Sequence, residues 1–185
     1  MEEGGRFFEG RSKVHAALQR IAQRLDTLEL PYALVGGMAL GAHGYARMTD
    51  DVDLLVTPDD LARIHEALDG LGYVPPFEGS KHLRDVAEGV KIEFLTTGGF
   101  PGDGKPKAVS FPDPRGSTVE LHGLRVLALP KLIDLKLASG MSNKQRLKDL
   151  ADVQVIAGRL KLGPDFAEQL DPSVRKKYLE LIETD

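Results

Sequence analysis

VGGMALGAHGYARMTDDVDLLV, residues 35–56, decides how the chain folds. A glycine pair stops one apolar run, YALVGG. A short helix-compatible stretch, MALGAHGYA, follows, and DVDLLV then reads as a second strand that carries two carboxylates. Acids are poor strand residues, and packing alone gives no reason to put them there. Residues two apart in a strand point the same way, so Asp51 and Asp53 share one face. Val52, Leu54 and Val56 share the other, which can enter a core.

Working outward, RSKVHAALQRIAQRLDTLEL (11–30) places Val14, Leu18, Ile21 and Leu25 at steps of three and four, an amphipathic helix. TPDDLARIHEALDGLGY opens with Thr57 as N-cap, Pro58 in the first turn and acids behind it, a strong helix start. KIEFLT (91–96) reads as a third strand, and the stretch from 97 to 107 is a Gly- and Pro-rich loop. TVELHGLRVLAL (118–129) reads as a hairpin turning near His122–Gly123. Three helical stretches follow: LPKLIDLKLASG, NKQRLKDLADVQVIAGRL and PSVRKKYLELIET. A mixed sheet with its N-terminal helix, residues 1–129, is therefore expected to precede a helical extension, residues 130–185. No internal repeat or low-complexity segment interrupts this order.

The 185 residues suit one domain, or one domain with a small helical extension. With 42% apolar residues the chain can build a core, and a net charge of −4 argues against a generally basic nucleic-acid binder. The chain has no cysteine, which removes disulfides and thiolate zinc sites. No apolar run approaches the roughly 20 residues that span a bilayer, and the start MEEGGRFFEG lacks a hydrophobic signal region. A cytoplasmic protein without membrane association is expected.

Two carboxylates on one strand face repel unless a cation sits between them. Mg²⁺ (or Mn²⁺) takes oxygen ligands and keeps substrate phosphate oxygens in its shell. Glu93 is a third acid inside an apolar strand. If that strand neighbours 51–56, Asp51, Asp53 and Glu93 could hold two metals about 4 Å apart, the geometry for in-line phosphoryl or nucleotidyl transfer. The competing reading is an exposed edge strand whose acids discourage aggregation. Gly36 and Gly37 would let a triphosphate approach the backbone at a helix start, or would simply form a turn.

Together, GG, RMTDDVDLLV and KIEFL resemble the DNA polymerase β-like nucleotidyltransferase superfamily. Arg47, Thr49, Asp51 and Asp53 in the pattern R-x-T-x-D-h-D, with the later DLKLASG and RLKDLADV, are similar to its AbiEii-type branch. Those proteins are toxin-like and linked to abortive infection and toxin–antitoxin pairs. The resemblance spans roughly residues 31–158. It implies an α/β (α+β) nucleotidyltransferase fold, a short mixed sheet flanked by helices with a helical C-terminal part. It also implies Mg²⁺-dependent transfer of a nucleoside monophosphate from an NTP to a hydroxyl of RNA (tRNA), a protein or a small molecule. A cognate antitoxin is implied as a partner.

By the same resemblance Arg47 and Thr49 lie beside the site, and Lys136 contacts the triphosphate; a lysine snorkelling from a core helix is the other reading. Asp149 and Asp152, at i and i+3 of one helix face, orient Lys136 or the acceptor, or else belong to a solvated face where Lys148 pairs with Asp152. Two positions depart from the family pattern: Gly37 stands where Ser is common, and Glu93 where Asp is commoner. These departures motivate an alternative, a catalytically weak nucleotide-binding or protein-interaction module that keeps the fold. PGDGKPK (101–107) lacks the Walker pattern. His43 is read as structural, and VRKKY (174–178) as a solvated helix face.

Overall fold

A computed structural model describes residues 12–183. The chain forms two compact units: one runs to Thr97 and adds Asp113–Leu127, the other comprises Gly98–Pro112 and the chain from Ala128 onward.

The first unit is built on a seven-stranded mixed sheet in the order β3-β4-β5-β2-β1-β7-β6. Its central strands are β1 (Ala33–Val35), β2 (Asp51–Val56) and β5 (Lys91–Thr96). β2 runs antiparallel to β1 and parallel to β5. β6 (Thr118–Leu121) and β7 (Leu124–Leu127) form the hairpin expected around His122–Gly123, and β7 lies parallel to β1. Helix α1 (Lys13–Thr27) buries Leu18, Ile21 and Leu25 of the stripe its periodicity foretells, together with Ala17 and Ala22, while Val14 is half-buried. Ser12 caps it by accepting the His15 N–H at 3.2 Å. α2 (Gly36–Ala42) is a single seven-residue piece between β1 and β2. α3 (Pro58–Leu68) starts at Thr57, whose hydroxyl accepts the Asp60 N–H at 3.1 Å.

The structure adds two strands that the sequence reading does not contain, β3 (Tyr73–Val74) and β4 (Leu83–Asp85). Two or three residues among glycines, prolines and charges carry no readable alternation. What holds them is tertiary: Arg20 of α1 donates two hydrogen bonds to the Asp85 carboxylate, at 3.1 and 2.7 Å.

The second unit is helical. It contains α4 (Leu129–Ser142), α5 (Leu147–Leu160) and α6 (Pro172–Ile182), with 3₁₀ turns at Lys144–Arg146 and Pro164–Gln169. α4 and α5 meet closely at Gly140, where a Cβ would lie 2.5 Å from Leu150 Cγ. α4 holds the cap of α6 through Asp134, whose carboxylate accepts the Asp171 N–H at 2.8 Å. Phe166 and Tyr178 pack ring against ring at 5.8 Å between centroids. No helix among the described residues is long and apolar enough to cross a membrane.

Candidate active site

β2 places its apolar face inside: Val52, Leu54 and Val56 are fully buried, whereas Asp51 and Asp53 are part-exposed. The neighbouring strand is the one the carboxylates require. In the parallel β2–β5 register Asp51 stands opposite Lys91 and Asp53 opposite Glu93. Alternation then brings Asp51, Asp53, Lys91 and Glu93 to one face of two adjacent strands. β2 is a central strand, so its acids are not an edge device.

The glycine pair has a steric reason. Gly36 sits at φ +66°, and a Cβ there would lie 2.0 Å from Oδ2 of Asp53. Any side chain would displace that carboxylate, besides straining the backbone. A Cβ on Gly37 would come 3.1 Å from Cβ of Thr49 and 3.3 Å from Nη1 of Arg47. Arg47 donates from Nη1 to the Met48 carbonyl at 3.2 Å, and the Thr49 hydroxyl donates to the Asp51 carbonyl at 3.3 Å. Both residues therefore shape the turn that leads into the acidic strand.

Electrostatics separates the acids. Burial, then the nearby Glu93 charge, pushes the Asp51 carboxyl above its ordinary value. Burial also pushes Glu93 upward, but its hydrogen bond and charge interaction with Lys91 outweigh burial and hold it below. Lys91 is raised by the same bond. Lys91 was not singled out by its residue type, yet the K-x-E spacing in KIEFL already puts it on the face of Glu93.

Among the described residues no group of three or more His, Asp or Glu side chains stands ready as a metal site. The donor set of Asp51 and Asp53 nonetheless fits a hard divalent cation: it is all oxygen, on one face, and destabilised as a bare anion at Asp51.

Lys136, Asp149 and Asp152 lie in the second unit and form a different arrangement. The Lys136 ammonium donates to Asp149 Oδ1 at 3.0 Å and to Asp152 Oδ2 at 2.8 Å. Asp149 also accepts from the Ser139 hydroxyl at 2.6 Å and from Arg146 Nε at 3.1 Å. All three predicted residues are buried, so neither a solvated helix face nor a snorkelling lysine describes them. Coulomb attraction and hydrogen bonds, Lys136 foremost, overcome burial and hold the Asp149 carboxyl below its ordinary value. Ser139 was missed because only the α4–α5 contact brings it to Asp149, whereas Arg146, at i−3 from Asp149, was a local signal left unread.

His43 and Lys107 are occupied structurally. His43 Nε2 pairs with the Leu127 carbonyl at 2.8 Å, and burial pulls its pKa down. Lys107 closes its own loop by donating to Asp103 and to the Pro101 and Lys105 carbonyls, each at 2.7 Å. In VRKKY, Val174 and Tyr178 are buried, and Arg175 donates to the Leu170 carbonyl at 3.0 Å.

Residues 7–176 match a family described as uncharacterised nucleotidyltransferase. The chain belongs to this nucleotidyltransferase family. Its fold recurs in a solution structure of the antibiotic-resistance factor ANT(2'')-Ia, at 16% identity, TM-score 0.57, and coverage of 90% of this chain and 93% of that one. A crystal structure of ANT(2'')-Ia in complex with adenylyl-2''-tobramycin gives 15% identity, TM-score 0.57, and 89% and 96% coverage. An antigenic nucleotidyltransferase-like protein from Paracoccidioides brasiliensis gives 17% identity, TM-score 0.54, and 91% and 93% coverage. At such identities the likeness is one of fold. No curated protein matches the sequence. The expected nucleotidyltransferase fold is thus met, and so is the expectation of a transferase.

Proposed function

We propose that this family member transfers a nucleoside monophosphate from an NTP to a hydroxyl acceptor, and that Asp51, Asp53 and Glu93 carry the reaction. The observation that supports it is the β2–β5 register, which sets three carboxylates side by side on one face, with Gly36 packed against Asp53.

Asp51 and Asp53 would hold Mg²⁺ or Mn²⁺, which when bound neutralises triphosphate charge. Glu93, held below its ordinary pKa by Lys91, would take the proton of the acceptor hydroxyl. Gly36 and Gly37 present backbone without side chains, and Arg47 and Thr49 brace the turn they border. Within the helical unit, Asp149 and Asp152 fix the direction of the Lys136 ammonium.

The acceptor is where the finer readings divide. The R-x-T-x-D-h-D and RLKDLADV motifs support an AbiEii-like toxin that modifies tRNA or a protein and has an antitoxin partner. The net charge of −4 supports a small hydroxylated acceptor over RNA, the kind of molecule seen adenylylated in ANT(2'')-Ia. We place the small-molecule acceptor first.

The test supplies Mg²⁺ and each α-³²P-labelled NTP in turn, with aminated and hydroxylated small molecules, total RNA, or the protein alone. A D51A/D53A variant is the control. Label on a small molecule that disappears in the control supports the reading; label on RNA or protein moves it to the toxin-like branch. NTP binding without transfer to any acceptor would indicate the binding module that the Gly37 and Glu93 departures suggest.

A further inference from the structure

The acidic face carries a cation among its acids, Lys91, with Arg84 beside it one strand further, on β4. Lys91 stands opposite Asp51 in the parallel register as Glu93 stands opposite Asp53, and strand alternation sends Lys91 and Glu93 to the same side. The Lys91 ammonium is bonded to a Glu93 carboxylate oxygen. The two side chains are 33% and 30% exposed, so ions from solution reach the pair. We propose that Lys91 is a resident cation that covers Glu93, so that this site takes a single divalent ion, on Asp51 and Asp53, where three uncovered carboxylates would take two. The proposal rests on the nucleotidyltransferase reading and specifies its metal stoichiometry.

The physical grounds are geometric. Like charges directly opposite on neighbouring strands destabilise a sheet, and Asp53 and Glu93 are such a pair. Lys91 is diagonal to Asp53 and bonded to Glu93, so one ammonium relieves the repulsion without help from solution. A divalent ion seeking Glu93 must displace a group tethered two residues away, whose effective concentration far exceeds that of free metal. Asp51 and Asp53 are two residues apart on one strand and remain a pair of oxygen donors. Lys91 is thus a positioning residue: it fixes the Glu93 carboxylate for the acceptor proton and keeps a second metal away from it.

The experiment is a nucleotide-free Mn²⁺ titration of the full chain, followed by electron paramagnetic resonance, on the wild type, Lys91→Met, Glu93→Gln and the double variant. Lys91→Arg serves as a folded, charge-keeping control. With Lys91 present, Glu93→Gln should leave Mn²⁺ affinity within about threefold, because Glu93 is covered. Lys91→Met should bind Mn²⁺ about tenfold more tightly or take a second equivalent, and Glu93→Gln in that background should remove the gain. Lys91→Arg should behave as the wild type. Two equivalents in the wild type would overturn the proposal. So would a tenfold loss from Glu93→Gln while Lys91 is present, or a Lys91→Met gain that survives the loss of Glu93. Any of these three results would leave the nucleotidyltransferase reading standing. Mn²⁺ that binds no variant, even with a non-hydrolysable NTP added, would overturn both.

Discussion

Two charged clusters, one in each unit, show opposite solutions to burying acids. In the helical unit Asp149 and Asp152 are met by Lys136 and Arg146, and every one of these contacts has hydrogen-bond geometry. On the sheet, Asp51, Asp53 and Glu93 share their face with Lys91 and, one strand further, Arg84, and they remain part-exposed. A balanced, buried cluster fixes a conformation; an acidic excess at a surface leaves charge for a ligand to satisfy. The difference lies in the scaffolds. Helices α4 and α5 can interdigitate around their charges, whereas neighbouring strands hold side chains in fixed register whatever their charge.

The comparison breaks first at the sheet. D51A/D53A should reduce transfer at least about 10²-fold while leaving thermal stability unchanged or higher, because like charges are removed. Loss of fold together with activity would mean that the acids are structural. In the helical unit the prediction is reversed. Lys136→Met leaves two buried carboxylates without their main cation and should cost about 3–5 kcal/mol in a denaturant melt. A cost under about 1 kcal/mol would place the network among surface pairs of little weight.

Gly36→Ala sharpens the sheet side. The positive φ and the 2.0 Å approach to Asp53 predict a loss of about 2 kcal/mol together with weakened Mn²⁺ binding. A variant that binds Mn²⁺ normally would show that Asp53 is free to move away.

The smallest effect concerns Asp134. Burial raises its carboxyl to about 6, against the Asp171 N–H bond that opposes the shift. Its protonated form is thus the one the folded state favours, and stability should fall as pH rises from the unfolded value near 4 to about 6, then level off. Asp134→Asn should match the wild type at the acid end of this window and exceed it by about 1–2 kcal/mol above pH 7. Melting curves at both ends check it; parallel curves would show that the charge is relieved elsewhere.

Much of this is legible in the sequence. The α1 stripe, the Thr57 cap and the β6–β7 turn are local signals, set by residues within one helical turn or one hairpin. The neighbours of β2 are not local: Glu93 is forty residues from Asp53 and meets it only through strand pairing. β3 and β4 escaped because pairing onto β5 and an α1 arginine on Asp85, not their own pattern, hold them. Lys136 could be picked out as a lysine in an apolar run, but its partners could not, since the pairing depends on how α4 meets α5.

By itself, then, the sequence determined the helices, the strands other than β3 and β4, and which acids share a strand face, because period and turn chemistry act over a few residues. Only the tertiary structure decided that Lys91 stands among those acids, that Gly36 is small for the sake of Asp53, and that Lys136 is enclosed by Asp149 and Asp152. Those are contacts between distant segments, and they exist only once strand register and helix packing have brought the segments together.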